Sequence, residues 1–344
     1  MTARRPTVEK QEKNMSSEKP PLHKKKDKVA FSTATVIANP LAGGRSKRRS
    51  VVRILEELRT SIPSVEFAQT RGQEDAARRA HDAVARGCEL LIAIGGDGTV
   101  NQIVNGLFEG KRTSGRDCVL GIIPGGTSCS LAKELGIPRG LRALTVIADG
   151  TVRTIDLILL KWTTPQGDRK QSLTVTVANF GFGGAVVRAG GRAMKSLGGF
   201  LSYGMGATLR LLDYKSRRMS VEVDGREIAR SRILCTVVAN TQCEGGGMRV
   251  APQAQPDDGL LDAVIVEDLS VLSRLRYFPR VYTGKHIGLP IVKCARGRKM
   301  FVSSTEMLPF EYDGEWAECR ACSIEVLPKA LSVLVPTGTA PPGD

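Results

Sequence analysis

The sequence has no long hydrophobic run, few aromatic residues and too few cysteines for a disulfide framework. Its longest apolar stretch, Ile233 to Ala239, is far shorter than the ~18–20 residues that span a bilayer, which disfavours an integral membrane protein. Aromatic residues make up 5% of the chain, without the aromatic and basic interleaving that stacks on bases, so nucleic acid is not an expected partner. Eight cysteines in 344 residues, and no apolar segment behind the N-terminal arginines, indicate a reduced, cytoplasmic setting.

Positive charge is what the sequence has in excess. The 50 Lys and Arg against 35 Asp and Glu give +15, and residues 1–28 hold nine basic and four acidic residues, so we expect a disordered basic tail over 1–30. The stretch Gly190–Arg218 mixes apolar and basic side chains, which is typical either of a core-packing helix with a solvated face or of a membrane-contacting one. We expect transient, peripheral contact with an anionic membrane surface. A second basic group comprises Arg274, Arg276, Arg280, Lys285, Arg296, Arg298 and Lys299.

The pattern of strands and helices divides the chain near Thr151. From Ala34 onward, short apolar strands alternate with helical periodicity, which predicts a parallel-sheet α/β domain over 31–152. One of its predicted helices runs from about Val100 to Glu109. After Thr151, β-rich segments and Asp-Gly turns predict a mostly antiparallel β domain over 153–321. The predicted segments are 154–162, 172–179, 219–224, 232–240, 260–267, 299–304 and 322–327. Helical stretches near 191–213 and 269–283 interrupt this domain. The expected fold class is therefore α/β plus all-β.

Three glycine-containing turns follow three of the predicted parallel strands. Parallel strands end at one edge of their sheet, where glycine lets a phosphate approach the backbone and the next helix offers free N–H groups. One such turn is often only a tight connection, but three together predict a phosphate cradle. The turns are Asn39-Pro40-Leu41-Ala42-Gly43-Gly44, Gly95-Gly96-Asp97-Gly98-Thr99 and Pro124-Gly125-Gly126-Thr127.

Asp97 is the informative residue of these turns. A carboxylate would repel phosphate unless a cation or a proton transfer is involved, so we expect Mg²⁺ beside it. The pattern is neither the GxxxxGK[ST] of a P-loop nor GxGxxG, which disfavours ordinary NTPases and dehydrogenases.

A series of motifs carries a family resemblance. In order they read NPLAGG, TRGQEDA, GGDGTVNQIVNGL, GIIPGGTSCSLAKELGIP, PDDGLLD and YDGE. Over about 34–335 the sequence resembles the diacylglycerol-kinase-type catalytic domain, a family that includes soluble bacterial lipid kinases, sphingosine kinases and ceramide kinases. The resemblance implies an NAD-kinase-like nucleotide-binding domain and a β-sandwich-like lipid domain, with the segment 322–336 returning to the first.

The resemblance also implies an ATP- and Mg²⁺-dependent kinase that phosphorylates a lipid alcohol, either diacylglycerol or a sphingoid type. Glu315 would be the general base, and Asp313 would support the magnesium and water network together with Asp97. A structural Mg²⁺ would bind Asp258 by its carboxylate and Gln255 and Leu260 by their carbonyls. The implied nucleotide-binding residues are Asn39, Pro40, Leu41, Ala42, Gly43, Gly44, Thr70, Gly95, Gly96, Asp97, Gly98, Thr99, Gly126 and Thr127.

Two positions depart from the family pattern and keep alternatives open. Gln102 stands where the family usually has Glu, and Ser128-Cys129-Ser130 replaces a common x-Asn-Asp, which bears on the preferred donor. The GGDGT turn is shared with NAD kinases, so an NAD kinase-like enzyme is one alternative, and a catalytically inactive nucleotide- or lipid-binding module is another. The sequence predicts neither the acceptor lipid nor the oligomeric state.

Overall fold

The structure is a computed structural model that describes residues 30–39, 45–72, 74–126, 128–188 and 212–338. The first part of the chain alternates strands with helices, and a 3-10 turn precedes the last helix. Its elements are β1 (Thr33–Ala38), α1 (Arg45–Ser61), β2 (Ser64–Gln69), α2 (Asp75–Ala85), β3 (Leu90–Gly95), α3 (Asp97–Ser114), β4 (Val119–Pro124), α4 (Ser130–Glu134) and α5 (Leu144–Asp149).

These strands form a parallel sheet in the order β2-β1-β3-β4. The apolar run LLIAIG of β3 is buried almost throughout, as expected for a central strand covered by helices on both faces. α1 packs onto the sheet through a buried stripe formed by Ile54, Leu55 and Leu58 at helical spacing. Because the strands are parallel, the segments that follow β1, β3 and β4 meet at one edge.

The second part of the chain is mostly antiparallel. β7 and β8 both pair with β9 and β12, so these four strands wrap around a core that includes Phe180, Val221 and Phe310. Its elements are β5 (Thr151–Thr163), β6 (Arg169–Thr174), β7 (Val177–Gly181), β8 (Arg217–Val223), β9 (Arg226–Ala239), β10 (Leu261–Glu267), α6 (Val271–Tyr277), β11 (Val292–Gly297), β12 (Lys299–Tyr312) and β13 (Glu315–Val335).

β13 joins the two parts. It begins as the partner of β12, continues antiparallel to β5, and at Val333 lies parallel to β4 beside Leu120. The last strand thus contributes to both cores, and Leu331 and Val333 are fully buried in the first. The predicted fold class, a parallel α/β sheet followed by an antiparallel β part, is confirmed.

Several predicted elements differ in extent. β13 is predicted only over 322–327, and β11 is not predicted at all. The basic tail and most of Gly190–Arg218 lie outside the described residues. Within the described ranges, no helix combines the length and apolar character needed to cross a bilayer.

The second basic group is smaller at the surface than the sequence indicates. Arg274 is buried, its guanidinium bonded to the carbonyls of Leu269 and Tyr214. Arg296 pairs with Asp258 and Asp262. These two arginines therefore do not act as free surface cations.

Candidate active site

The glycine turns after β3 and β4 pack directly on each other. The amide of Gly125 donates to the carbonyl of Gly95 at 2.9 Å, and the amide of Gly126 donates to the same oxygen at 3.2 Å. A Cβ on Gly126 would lie only 2.5 Å from the Cα of Gly96, so no larger residue fits there. The structure thus brings two of the predicted phosphate turns side by side.

The end of β1 lies against the same edge. The amide of Asn39 donates to the carbonyl of Ile94 at 3.3 Å, and the buried Thr70 donates its amide to Ala38 at 2.9 Å. Asn39 therefore adjoins the Gly95–Thr99 turn, and Thr70 lies on the other side of the end of β1. The remaining nucleotide-binding predictions, which are Pro40, Leu41, Ala42, Gly43, Gly44 and Thr127, fall outside the described residues.

Asp97 opens α3, so its carboxylate sits at a helix N-terminus. Its Oδ1 accepts a hydrogen bond from the amide of Ser130 at 2.7 Å, while its Oδ2 is 3.5 Å from the hydroxyl of Ser130. Burial, followed by the nearby negative charge of Asp313, raises the pKa of Asp97 to about 6. The neighbouring carboxylates of Asp97 and Asp313 therefore carry negative charge that the hydrogen-bond donors around Asp97 do not fully offset.

Asp313 holds the second part of the chain onto α3. Its Oδ2 accepts from the side-chain amide of Asn101 at 2.9 Å and from the amide of Val175 at 2.7 Å. Its Oδ1 accepts from both the amide and the hydroxyl of Thr176. Four donors use all the lone pairs of this carboxylate, so Asp313 acts here as an anchor with no oxygen left for a direct metal bond.

Glu315 lies two residues further on, where β13 begins. Its Oε1 and the carbonyl oxygen of Asp313 are each 4.0 Å from the point where a Cβ on Gly98 would sit. The Asp313-Gly314-Glu315 turn therefore faces the Gly95–Thr99 turn, although more than 200 residues separate them in sequence. Glu315 also lines an open cleft of about 630 Å³, together with Asn101, Gln102, Tyr312 and Trp316.

A buried pair of acids behind this turn is not predicted from the sequence. Glu311 is 2% exposed, and its Oε2 accepts from the amide of Gly314 at 3.2 Å. Burial, and then the neighbouring carboxyl of Glu244, raises the pKa of Glu311 well above its usual range. The side-chain amide of Asn179 donates to Glu244 at 3.3 Å. A lone sequence offers no signal for such a pair, because both acids occur in otherwise ordinary strand and turn patterns.

An apolar cavity of about 120 Å³ opens beside this acid pair. Asn179 and Glu244 form part of its lining, and the rest is largely aliphatic and aromatic. Such a lining suits a hydrocarbon chain with a polar group at one end. The aliphatic and aromatic lining includes Phe182, Val186, Leu234, Val237, Val264 and Phe278.

The two predicted magnesium sites differ in how well their residues suit a cation. At Asp97, burial and the nearby charge of Asp313 leave a carboxylate that a hard cation would neutralise, so Asp97 fits as a single protein ligand of Mg²⁺ and Asp313 contributes only its charge. At the PDDGLLD turn, Asp258 already pairs with Arg296 and accepts from the amide of Leu260 at 3.0 Å. Among the described residues no group of three or more acidic, His or Cys side chains is arranged for a metal. The Asp258, Gln255 and Leu260 site stays a prediction.

The departures from the family pattern have clear positions in the structure. Ser130 binds Asp97 through its backbone amide, so the loss of an acidic residue there leaves that contact in place. The thiol of Cys129 lies 3.4 Å from the carbonyl of Gly126, and burial raises its pKa. Gln102 faces the cleft near Glu315.

Two family models match the chain. The model described as the diacylglycerol kinase catalytic domain matches residues 33–160, and the YegS C-terminal NAD kinase beta sandwich-like domain matches residues 176–335. Residues 161–175 lie between the two matched ranges.

Individual relatives agree with these models. A diacylglycerol kinase of Bacillus subtilis is 25% identical over 88% of this chain and 96% of its own length. A protein of Xanthomonas euvesicatoria named "Probable lipid kinase YegS-like" is 31% identical over 76% of this chain and 84% of its own.

Solved structures share the fold. A diacylglycerol kinase of Bacillus anthracis aligns with a TM-score of 0.67 at 20% identity, over 91% of this chain and all of its own. Yeast NADH kinase aligns with a TM-score of 0.51 at 10% identity, over 88% and 82%. Together with the matched family models and the 31% identical relative, these findings show that the chain belongs to the family of diacylglycerol kinases and YegS-like lipid kinases.

Proposed function

We propose that this protein transfers the γ-phosphate of ATP to a hydroxyl group of a lipid alcohol, with Glu315 as the general base. The observation that carries the proposal is the contact between the Asp313-Gly314-Glu315 turn and the Gly95–Thr99 turn. Phosphoryl transfer needs bound phosphates, charge neutralisation and a base near the attacking oxygen. The facing turns offer all three at one edge of the sheet.

In this mechanism the glycine turns bind the nucleotide. The first N–H groups of α3, together with the turns after β1 and β4, would hold the phosphates of ATP at the carboxyl edge. Mg²⁺, when bound at Asp97, would neutralise charge on those phosphates. Asn39, Thr70 and Thr99 supply further polar groups along the same edge.

Glu315 would take the proton from the lipid hydroxyl as its oxygen attacks the γ-phosphorus. General-base catalysis of this kind contributes about 10²–10⁴-fold to a rate. Asp313 serves as a positioning residue, because its four hydrogen bonds fix the turn that carries Glu315. Asn101 connects α3 to the turn that carries Glu315, because its side-chain amide donates to Asp313.

The acceptor is a lipid alcohol of the diacylglycerol or sphingoid type. The apolar cavity beside Glu244 supports this, because an aliphatic lining suits a hydrocarbon chain rather than a dinucleotide. We assign nucleotide binding to 31–152, lipid binding to 153–321, and a return to the first domain to the segment near 322–336. Cytoplasmic localisation with reversible membrane contact belongs to the same proposal.

Incubation with labelled ATP and Mg²⁺, followed by lipid extraction and mass identification of the labelled product, tests the proposal. A panel of diacylglycerol, sphingoid base, ceramide and polyprenol, with NAD as a further acceptor, separates the lipid kinase from an NAD kinase-like enzyme. A labelled lipid that disappears with Asp97→Asn supports the proposal. Label on NAD alone, or equal background for wild type and variant, would contradict it.

A further inference from the structure

The outward face of α6 is apolar. Val271 is 40% exposed, Leu272 78% and Leu275 39%, and Leu272 is the most exposed large hydrophobic side chain in the part of the chain that the structure describes. At 100° per residue these three side chains lie on one side of the helix, within about 100° of each other. Isolated exposed apolar residues are ordinary, but three on one face form a patch.

The inward face of the same helix is firmly held. Arg274 is 7% exposed, and its guanidinium donates to the carbonyls of Leu269 at 2.9 Å and Tyr214 at 2.6 Å. Tyr277 and Phe278 line the apolar cavity beside Glu244. One face of α6 therefore lines the cavity, and the opposite face exposes the apolar patch to solvent.

Positive charge surrounds this patch. The segment 269–290 contains four Lys and Arg and no Asp or Glu, and Arg276, Arg280 and Lys285 are exposed. The guanidinium of Arg280 lies 5.3 Å from the ring centroid of Tyr277, a pairing that suits a membrane–water interface. The preceding acids are already engaged, Glu267 with Lys293 and Asp268 with Arg232 and Arg274.

We propose that the segment 271–288 docks the protein on an anionic bilayer, with Leu272 and Leu275 inserted among the lipid chains and Arg276, Arg280 and Lys285 at the headgroups. A bilayer fits better than a protein partner because the patch carries cations without acids and covers an apolar cavity. Insofar as the docked helix would open that cavity to a lipid, the inference rests on the proposed function. Cations near an anionic surface and buried apolar side chains contribute together to such binding.

Vesicle sedimentation tests the docking surface directly. The vesicles contain phosphatidylcholine with or without phosphatidylglycerol, and neither ATP nor acceptor is present, so the result does not depend on catalysis. Leu272→Ser should weaken partitioning onto anionic vesicles about tenfold, because the variant no longer transfers a leucine side chain from water into the bilayer on binding. Val52→Ser on α1, where Val52 is 55% exposed, is the matched control and should bind like wild type.

The charges are tested in the same assay. Replacing Arg276 and Arg280 by Glu should weaken binding at least tenfold at low salt, and the difference from wild type should shrink in high salt. Arg59→Glu, an exposed position on α1, is the control for a charge change elsewhere. Binding that responds equally to Arg59→Glu would contradict a localised surface.

Two further outcomes overturn the proposal. One is Leu272→Ser binding as tightly as wild type while its melting temperature is unchanged. The other is a dimer of the wild-type chain, seen without vesicles by sedimentation velocity, that Leu272→Ser dissociates, since the patch would then be an interface between copies. Activity in detergent micelles, which Leu272→Ser should retain, is read separately. A wild type inactive on every lipid alcohol would contradict the proposed function and leave the vesicle result interpretable.

Discussion

Burial of the ionised Asp97 carboxylate lowers the stability of the folded protein. Its folded-state pKa of about 6 lies above the ordinary value of 3.8, so the folded protein binds a proton that the unfolded chain has already released. The contribution of Asp97 to the free energy of unfolding is fully present below about pH 4. It falls as the pH rises toward about 6 and stays low at higher pH. A pKa shift of this size corresponds to roughly 3 kcal/mol in the free energy of unfolding.

Asp97→Asn should therefore raise stability while it removes activity. The amide oxygen can still accept from Ser130, and the variant no longer places a charge beside Asp313. We expect its melting temperature at pH 8 to exceed that of wild type by several degrees, and the gain to disappear near pH 4. Differential scanning calorimetry across this range measures both.

Asp75→Asn is the matched control, because Arg79 and Arg71 hold the pKa of Asp75 down at about 2. Its stabilisation is present above the ordinary pKa and lost in acid, so the variant should be less stable than wild type at pH 8. An Asp97→Asn melting temperature equal to or below that of wild type at pH 8 would contradict the account of Asp97.

Glu311 makes a second contribution of the same sign. Its pKa is raised well above the usual range by burial and by Glu244, so stability falls as the pH rises above the ordinary carboxyl range. Glu311→Gln can still accept from Gly314 but carries no titrating group, so it should flatten the loss of unfolding free energy as the pH rises above the ordinary carboxyl range. Urea unfolding at each pH checks this, with Glu325→Gln on β13 as control. An unchanged slope would show that the acid pair does not titrate as described.

At the scale of elements, α3 joins the nucleotide turn to the rest of the molecule. A Cβ on Gly106 would lie 2.0 Å from the carbonyl oxygen of Ala77 in α2, so the two helices cross where only glycine fits. A Cβ on Gly98 would meet Asp313 and Glu315 only at 4.0 Å. The same helix therefore contains glycines required for packing against α2, Gly106 and Gly110, and one glycine, Gly98, that faces the site.

Gly106 and Gly98 predict opposite results. Gly106→Ala should lower the unfolding free energy by about 1–3 kcal/mol, because α2 must shift. Gly98→Ala should leave stability unchanged or slightly higher, since alanine favours a helix, yet lower kcat/KM about tenfold to a hundredfold by filling the gap between the facing turns. Urea unfolding and steady-state kinetics separate the two effects. Full activity in Gly98→Ala would contradict the assignment of that gap to the reaction.

Local patterns predicted most elements but not their ends. α3 begins at Asp97 rather than near Val100, because Gly96 takes the capping position without a side-chain cap that the sequence could reveal. β13 is predicted only over 322–327, since Pro328 indicates the end of a strand. The structure shows that the strand bulges between Leu327 and Leu331 and continues to Val335.

At the scale of the whole molecule, long-range contacts decide the site. The glycine turns could be placed at one edge of the sheet because parallel strands end together. The bonds from Asn101 to Asp313 and from Gly314 to Glu311 could not, since they depend on how β12 and β13 fold back onto α3 and β7. The family resemblance named Asp313 and Glu315, whereas the geometry shows that Asp313 is an anchor.

The continuous strand β13 explains why both parts of the chain must fold for the site to form. It starts with Glu315 in the β part and ends with Val335 in the first core. The central claim is that Glu315, carried to the nucleotide turn in this way, removes the proton from a lipid hydroxyl.

Transfer of label from the γ-phosphate of ATP to an extracted lipid, measured for wild type, Glu315→Gln and Glu325→Gln, tests that claim most directly. If Glu315 is the base, Glu315→Gln lowers kcat about 10²–10⁴-fold with little change in the KM for ATP, while Glu325→Gln on the same strand stays active. A Glu315→Gln variant that phosphorylates the lipid at the wild-type rate would contradict it.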